Sequence, residues 1–409
     1  MILLVQANGA VVEKDTLAVR IWPQEEVSDG NLAQHVYLLR QLLGERARDH
    51  SFILTVPGRG YRFTAPVVVE YRGAEEAFTP DAAGIGDVLL RSGVEPFRNY
   101  CQGSFLLEKR TAPALKQAAE FFEAALRSDP DYTPALIGIA RAYALLAVYW
   151  HTPAGPAFER AGHAISRVLE LDPSSSIAHA VRSGILCFAD WNWAAAKDEI
   201  DLAIQLNPGS TFVRNNAPWL HICTGQYEEA LAEAQRALTL EPSSLALQLL
   251  LARALTHGGD YRNAVSIMSN LLESDPAFYI ARRYRAQAYL LQRKPEKAID
   301  DLSRLPQEPS EDPSFRLPML GRAYADAGDV GRASAVYAKL RQMARTEYVV
   351  RWNLAIVAAG LGLAAEAMAH LDAALAEREP TLPFLKSLPW FESLNEFPEF
   401  GVMLHAIGP

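Results

Sequence analysis

VSDGNLAQHVYLLRQLLGERARDHSFILTVPGRGYRF, residues 27–63, reads as an amphipathic helix followed at once by a glycine-tipped hairpin. Asp29 is placed to cap the helix start and Gly44 to end it. Leu32, Val36, Leu39 and Leu43 recur at helical spacing and define the face that must meet a core. Asn31, Gln34, Leu38 and Gln41 fall on the opposite face, with His35 beside them. Amide side chains suit that face for reading DNA, because Asn and Gln can satisfy the donor and acceptor edge that a base presents in the major groove. Phe52 to Val56 and Tyr61 to Ala65 read as two strands joined by Pro57, Gly58, Arg59 and Gly60, which sets Arg59 at the tip of a wing.

These residues resemble the winged-helix effector domain of the OmpR, ToxR and CadC types of transcription regulator. The likeness rests on the entry Val11-Val12-Glu13-Lys14-Asp15-Thr16-Leu17 ending in Ile21-Trp22-Pro23, on Asn31 to Leu43 with Leu39-Arg40, and on the wing Thr55 to Phe63. It implies that Lys14 to Ile21 is the positioning helix and Asn31 to Leu43 the recognition helix. It implies double-stranded DNA as a partner, with contacts on Asn31, Gln34, His35, Tyr37, Arg40, Arg59 and Arg62. Each contact has a plainer reading: Arg40 as a bridge to a carboxylate, His35 as a solvated helix residue, Tyr61 as wing core. The family opens with a small antiparallel sheet and a complete first helix, whereas here Met1 to Ala7 is all that precedes Asn8-Gly9. The expectation is a winged helix shortened at its N-terminus, either because the start codon has been placed too late or because the domain is a remnant that packs on something else. Leu38 stands where the family carries a basic or polar side chain, which suits a thymine methyl and adds no phosphate contact.

Charge bears on the same question. Residues 1–66 hold seven Lys or Arg and seven Asp or Glu, so the formal charge of −9 belongs to the rest of the chain. Affinity for DNA scales with the number of neutralised phosphates. A neutral head therefore binds weakly as a monomer, and pairing as a homodimer on adjacent half-sites compensates.

A second domain follows from period. Asp129-Pro130, Asp172-Pro173, Asn207-Pro208, Glu241-Pro242 and Asp275-Pro276 are 43, 35, 34 and 34 residues apart, the signature of stacked repeats. An alanine stands twelve residues before each proline, and the series runs Ala118, Ala161, Ala196, Ala230, Ala264, Ala298, Ala333 and Ala367. Only a small side chain leaves room where the second helix of a hairpin crosses its partner. Gly184, Ala252, Ala286, Gly321 and Ala355 are expected to do the same on the first helices. The pattern resembles the tetratricopeptide repeat over residues 97–379, about eight helical hairpins, with Gly225-Gln226-Tyr227 and Gly259-Asp260-Tyr261 as turns between helices. The 43-residue spacing implies an insertion near Tyr149 to Pro156, and Pro218 and Pro318 are expected to kink their helices.

In that register the side chains facing the concave groove are Phe212, Asn215, Trp219, Leu249, Arg253, Arg283, Gln287, Arg322, Val349 and Trp352. Arginines among aromatics suit an extended protein or peptide ligand carrying carboxylates. Residues 380–409, rich in Phe, Leu and Trp, read as a segment capping the last repeat, and 70–96, with Gly73, Pro80, Gly84, Gly86, Gly93 and Pro96, as a linker.

The expected fold is mainly α: a truncated winged helix-turn-helix with a β-hairpin wing over residues 1–69, then an α-α superhelical solenoid. No run of 18 apolar residues and no cleavable signal pattern is found, so a cytoplasmic location without membrane contact is expected. Cys101, Cys187 and Cys223 lack the spacing of a metal site or disulfide framework and read as buried packing. No GxxxxGK[ST], HExxH or GxSxG motif occurs, so neither enzyme chemistry nor a cofactor is expected. Together these imply a bacterial-type transcription regulator. The alternative is a repeat scaffold whose shortened winged helix no longer binds DNA.

Overall fold

The structure, a computed structural model, describes residues 3–4, 7, 10–21, 29–42, 52–64, 95–305 and 313–408. Two compact units divide the chain, Met1–Cys101 and Gln102–Pro409.

In the first unit a short strand β1 (Val12–Glu13) leads into α1 (Lys14–Ile21), followed by α2 (Asp29–Leu42), β2 (Ile53–Val56) and β3 (Gly60–Phe63). The helical and hairpin expectations hold to within a residue or two. The sheet differs: β1 joins it antiparallel to β3, so the order is β1-β3-β2 and the wing is three-stranded. The two-residue strand carries too few side chains to announce itself by alternation, and only the pairing of Val12 with Tyr61 and Glu13 with Gly60 defines it. Gly60 is required there. A Cβ at that position would stand 2.0 Å from the Val12 carbonyl oxygen. Leu17, Leu32, Val36, Ile53, Tyr61 and Phe63 form the buried side of these elements. Leu39 is only half-buried. The expected roles of Trp22, Leu43 and Gly44, the side chains of Asp29, Leu38 and Gln41, and the linker up to residue 94 lie outside the described residues.

Among the described residues, 95–376 form sixteen helices in eight hairpins. They are α3 (Glu95–Lys109) with α4 (Ala112–Ser128), α5 (Thr133–Val148) with α6 (Ala154–Leu171), α7 (Ser176–Ile185) with α8 (Trp193–Leu206), and α9 (Thr211–Cys223) with α10 (Tyr227–Leu240). Then come α11 (Leu245–His257) with α12 (Tyr261–Ser274), α13 (Tyr279–Leu291) with α14 (Pro295–Ser303), α15 (Pro313–Asp326) with α16 (Val330–Met343), and α17 (Arg351–Gly360) with α18 (Ala364–Ala376). All eight alanines of the periodic series are 0% exposed, as close helix crossing demands. On the first helices Ala252, Ala286 and Ala355 are likewise fully buried, and a Cβ on Gly321 would meet Val336 and Val357 at 2.9 Å. Gly184 departs from the series. A Cβ there would meet nothing within 4 Å, and the neighbouring Ser183 is the buried residue, its hydroxyl donating to the Ala196 carbonyl at 2.7 Å. A π-helical turn, Leu186–Asp190, extends α7 and shifts its register. The helices α9 and α15 continue through Pro218 and Pro318. The longer second repeat is accounted for by α5 and α6, of 16 and 18 residues, and the turn between them.

The tail does more than cap. Two 3-10 turns, Leu382–Phe384 and Pro389–Leu394, and the helix α19 (Pro398–Ile407) bury Leu382, Leu388, Trp390, Phe391, Leu394, Phe400 and Met403 in one core with α13 to α18. The same tail reaches back along the inside of the coil. The Trp193 indole N–H donates to the Ile407 carbonyl at 3.2 Å, and Phe384 lies 6.1 Å from Phe188 and 6.4 Å from Trp219, ring centre to ring centre. The coil also closes on itself without the tail: the Tyr279 hydroxyl donates to the Lys109 carbonyl at 2.7 Å.

Cys187 and Cys223 are buried and Cys101 half-buried, and burial pushes the Cys101 and Cys187 thiols up to about 12. These are packing residues with almost no thiolate at neutral pH. No helix among the described residues is long and apolar enough to cross a membrane.

Candidate functional site

Two surfaces carry the residues singled out above. The first is α2 with the wing. α2 is held against the hairpin by Arg40, whose Nη2 donates to the Ile53 carbonyl at 2.7 Å and to the Thr55 hydroxyl at 2.8 Å, with Nε to the same carbonyl at 3.2 Å. Arg40 is thus a brace between α2 and the wing. Among the described residues its partners are a strand carbonyl and a hydroxyl, neither of which the spacing along the helix announces. Spacing along α2 cannot reveal a bond to a strand thirteen residues on.

His35 also turns inward, its Nδ1 2.7 Å from the Asn31 carbonyl on its own helix. Asn31 and Tyr37 are half-buried, and Gln34 is exposed. At the wing tip Gly58 takes φ +70°, a left-handed turn that glycine adopts without strain. Arg59 follows it, exposed, with its backbone carbonyl accepting from Lys14 N–H at 3.2 Å, which ties the tip to the start of α1. Arg62 pairs across the ladder with Leu54, on the face opposite Tyr61 and Phe63, and is half-buried. Gln34 and Arg59 are therefore the two expected contacts that stand open, on elements whose relative angle Arg40 sets.

The second surface is the inside of the coil. The register brings the expected groove residues together, yet most are already engaged. Arg322 is buried, donating to Asp326 at 2.9 Å and to the Trp390 carbonyl of the tail at 2.8 Å. Trp352 is buried edge-on against Phe391, centroids 5.1 Å apart. Trp219 meets Phe384 of the tail on one side and the Arg253 guanidinium, 4.2 Å from its ring, on another. Leu249 and Val349 are core residues. Phe212, Asn215 and Gln287 remain half-buried, with the Arg141 guanidinium 4.9 Å above the Phe212 ring. The expected open groove is in large part filled by residues of the tail. Tail composition signals burial, but a repeat period cannot say where an aperiodic segment will lie.

A latch holds the tail there. His257 Nδ1 and the Ser387 hydroxyl are 2.7 Å apart, and the His257 ring is 4.9 Å from Phe384. Burial, reinforced by Arg253 nearby, pushes the His257 imidazole down to about 3, so it is neutral at any ordinary pH.

A third group contains the expected groove residues Arg253 and Arg283, but the side chains they meet were missed by sequence reasoning. Arg253 also lies 4.0 Å from the Tyr284 ring, Arg283 lies 4.2 Å from Phe315, and Phe315 stacks on Trp150 at 6.0 Å. The Arg110 guanidinium donates to the Tyr149 hydroxyl at 3.0 Å. A signal for part of this group exists in the register. Each hairpin turn has one left-handed residue, and where four turns use Gly225, Gly259, Gly328 and Gly362, the others use Arg110, Trp150, Trp191 and Arg293.

The fold and these surfaces define a winged helix joined to helical repeats. Comparison with known proteins gives the same division. Residues 1–63 match the family model described as "Transcriptional regulatory protein, C terminal", and tetratricopeptide repeat models match 224–276, 258–313 and 319–381. The chain carries an OmpR/PhoB-type winged helix followed by tetratricopeptide repeats. It is 41% identical over 69 residues to the transcriptional regulator HilA of Salmonella typhimurium, a stretch that is 17% of this chain and 12% of that protein. It is 24% identical over 175 residues to human tetratricopeptide repeat protein 6, covering 43% of this chain and 32% of that one. The chain thus spans only a minor part of each curated relative. Among solved structures, a monomeric mutant of IFIT1 with Gppp-AAAA superposes with a TM-score of 0.53 at 17% identity, over 76% of this chain and 72% of that one. That likeness is one of fold.

Proposed function

We propose that this protein is a DNA-binding transcription regulator whose winged helix reads duplex DNA and whose repeat coil receives the signal, acting by recruitment or dimer control and without enzyme chemistry. The observation that carries the reading is the pairing of exposed Gln34 on α2 with exposed Arg59 at the wing tip, on two elements braced by Arg40. An amide on the helix suits base edges, and a cation on the wing suits phosphate. The family match over residues 1–63 supports it.

The coil's protein partner, in this reading, enters by taking the place of the tail over Trp219, His257 and Arg322. Phe384 and its latch are held by ring contacts and one side-chain hydrogen bond to the neighbouring helix, which a competing segment bearing an aromatic residue can replace.

Selection from a random duplex library followed by gel shift tests the DNA reading. Gln34→Ala is expected to relax preference at one base position, and Arg59→Ala to weaken binding evenly across sequences and reduce the salt slope by about 1. Unaltered preference and affinity in both variants would remove α2 and the wing from the DNA.

A further inference from the structure

Two arginines on the inside of the coil stand without a carboxylate partner among the described residues. Arg253 and Arg283 make no hydrogen bond or ion pair among the described residues, and their Nε atoms are fully buried. Arg283 as a whole is 8% exposed. The Trp150 indole N–H, stacked on the same Phe315 ring that covers Arg283, is a third buried donor with no acceptor. Every orphaned group in this cluster is a donor. Buried polar groups are ordinarily satisfied, and a buried charge ordinarily has a counter-charge.

Aromatic faces offset part of that cost. Trp219 and Tyr284 cover Arg253 and Phe315 covers Arg283, contacts that favour a desolvated guanidinium. A ring occupies a face of the guanidinium, however, and leaves the in-plane N–H groups free. Arg110 adds a third positive charge. Its neighbouring carboxylate, Glu108, is 4.0 Å from it and nearer to Arg141, at 3.3 Å. The environment of Tyr149 records the same imbalance: burial by itself would raise its hydroxyl, yet Arg110, Arg253 and Arg283 together hold it below the usual phenol range.

Two of the strained turn residues contribute to the same cluster. Arg110 and Trp150 occupy left-handed turn positions, φ +53° and +67°, at which four other repeats carry glycine and two carry Trp191 and Arg293. A residue with a Cβ costs roughly 1–2 kcal/mol there relative to the right-handed region. The side chains retained at that cost both enter the cluster.

We infer that Arg110, Arg253 and Arg283, with the Trp150 N–H and the Tyr149 hydroxyl, form a binding site for a small phosphorylated molecule inside the repeat coil. Phosphate suits the cluster better than a carboxylate because three guanidiniums call for more than one negative charge and for more acceptor oxygens than a carboxylate offers. The site deepens the proposal that the coil receives a signal and is independent of whether the winged helix binds DNA.

The test is thermal melting and titration calorimetry of the full chain with sodium pyrophosphate as probe, and succinate as the dicarboxylate control. Pyrophosphate is expected to bind one per chain and to raise Tm by about 5 °C at a hundredfold excess over Kd. Succinate is expected to bind at least tenfold more weakly. Arg283→Met and Arg253→Met each should abolish the shift, and Arg283→Met without ligand should melt no lower than the parent because an uncompensated charge is gone. Arg59→Ala, on the wing, and Arg304→Met, an exposed arginine paired to Asp300, should keep the full shift. The inference falls if pyrophosphate gives no shift, if the shift survives both methionine substitutions, if Arg59→Ala removes it, or if succinate binds as well as pyrophosphate. Should one methionine variant fail to fold, as judged by circular dichroism, the other and the calorimetric stoichiometry of the parent still decide.

Discussion

Glu379 should make the last repeat less stable as pH rises through the weakly acidic range, the reverse of a surface carboxylate. It is 1% exposed and accepts two backbone N–H groups at the start of α17, from Arg351 at 2.6 Å and Trp352 at 3.1 Å. Those bonds favour the carboxylate, but burial outweighs them and pushes the group up to about 7 from an ordinary 4.5. Between those two values the folded chain holds a proton that the unfolded chain has released. Stability from this group is therefore fully present below about pH 4.5 and is lost as pH rises to about 7. At about 1.4 kcal/mol per pH unit the whole effect is about 3 kcal/mol. Hydrogen exchange of peptides spanning α17 and the tail, corrected for intrinsic rates at each pH, reads the local opening free energy. The parent should lose about 3 kcal/mol between pH 4.5 and 7.5. Glu379→Gln, which keeps one acceptor and cannot ionise, should start lower and stay flat. Equal slopes in parent and variant would refute the assignment, as would a parent that gains protection with rising pH.

Three further outcomes follow from individual contacts. Arg40→Met keeps the stem and removes the bonds to Ile53 and Thr55, so the winged helix should lose about 2 kcal/mol in urea melts of the full chain followed by exchange in α2. DNA preference should broaden with it, as the angle between helix and wing is no longer held. Ala230→Leu places a large side chain at a 0% exposed crossing of α9 and α10 and should cost about 1–3 kcal/mol, read as loss of protection centred on those helices. A silent Ala230→Leu would mean the repeat register is misassigned. Arg322→Met strands the Trp390 carbonyl and Asp326 and should lower tail protection by about 2 kcal/mol, whereas an arginine lining an open groove would be silent.

The sequence by itself determined what depends on neighbours along the chain. Helices α1 and α2, the wing with Arg59 at its tip and the alanine at every second-helix crossing follow from periods of 3.6, 2 and 34, because each such position meets a partner fixed by the local repeat. Contacts between distant segments were not legible. Val12 joins the sheet through a residue 49 positions on, Arg40 bonds to a strand thirteen residues on, and the tail enters the coil to meet Trp219 and His257. None of these carries a pattern, since a single pairing has no period to display. Arg253 and Arg283 show the division most plainly. Their positions on first helices of successive repeats mark them as inward-facing, but only the closure of the coil brings them beside Tyr149, Trp150 and Arg110, with no carboxylate partner for either among the described residues.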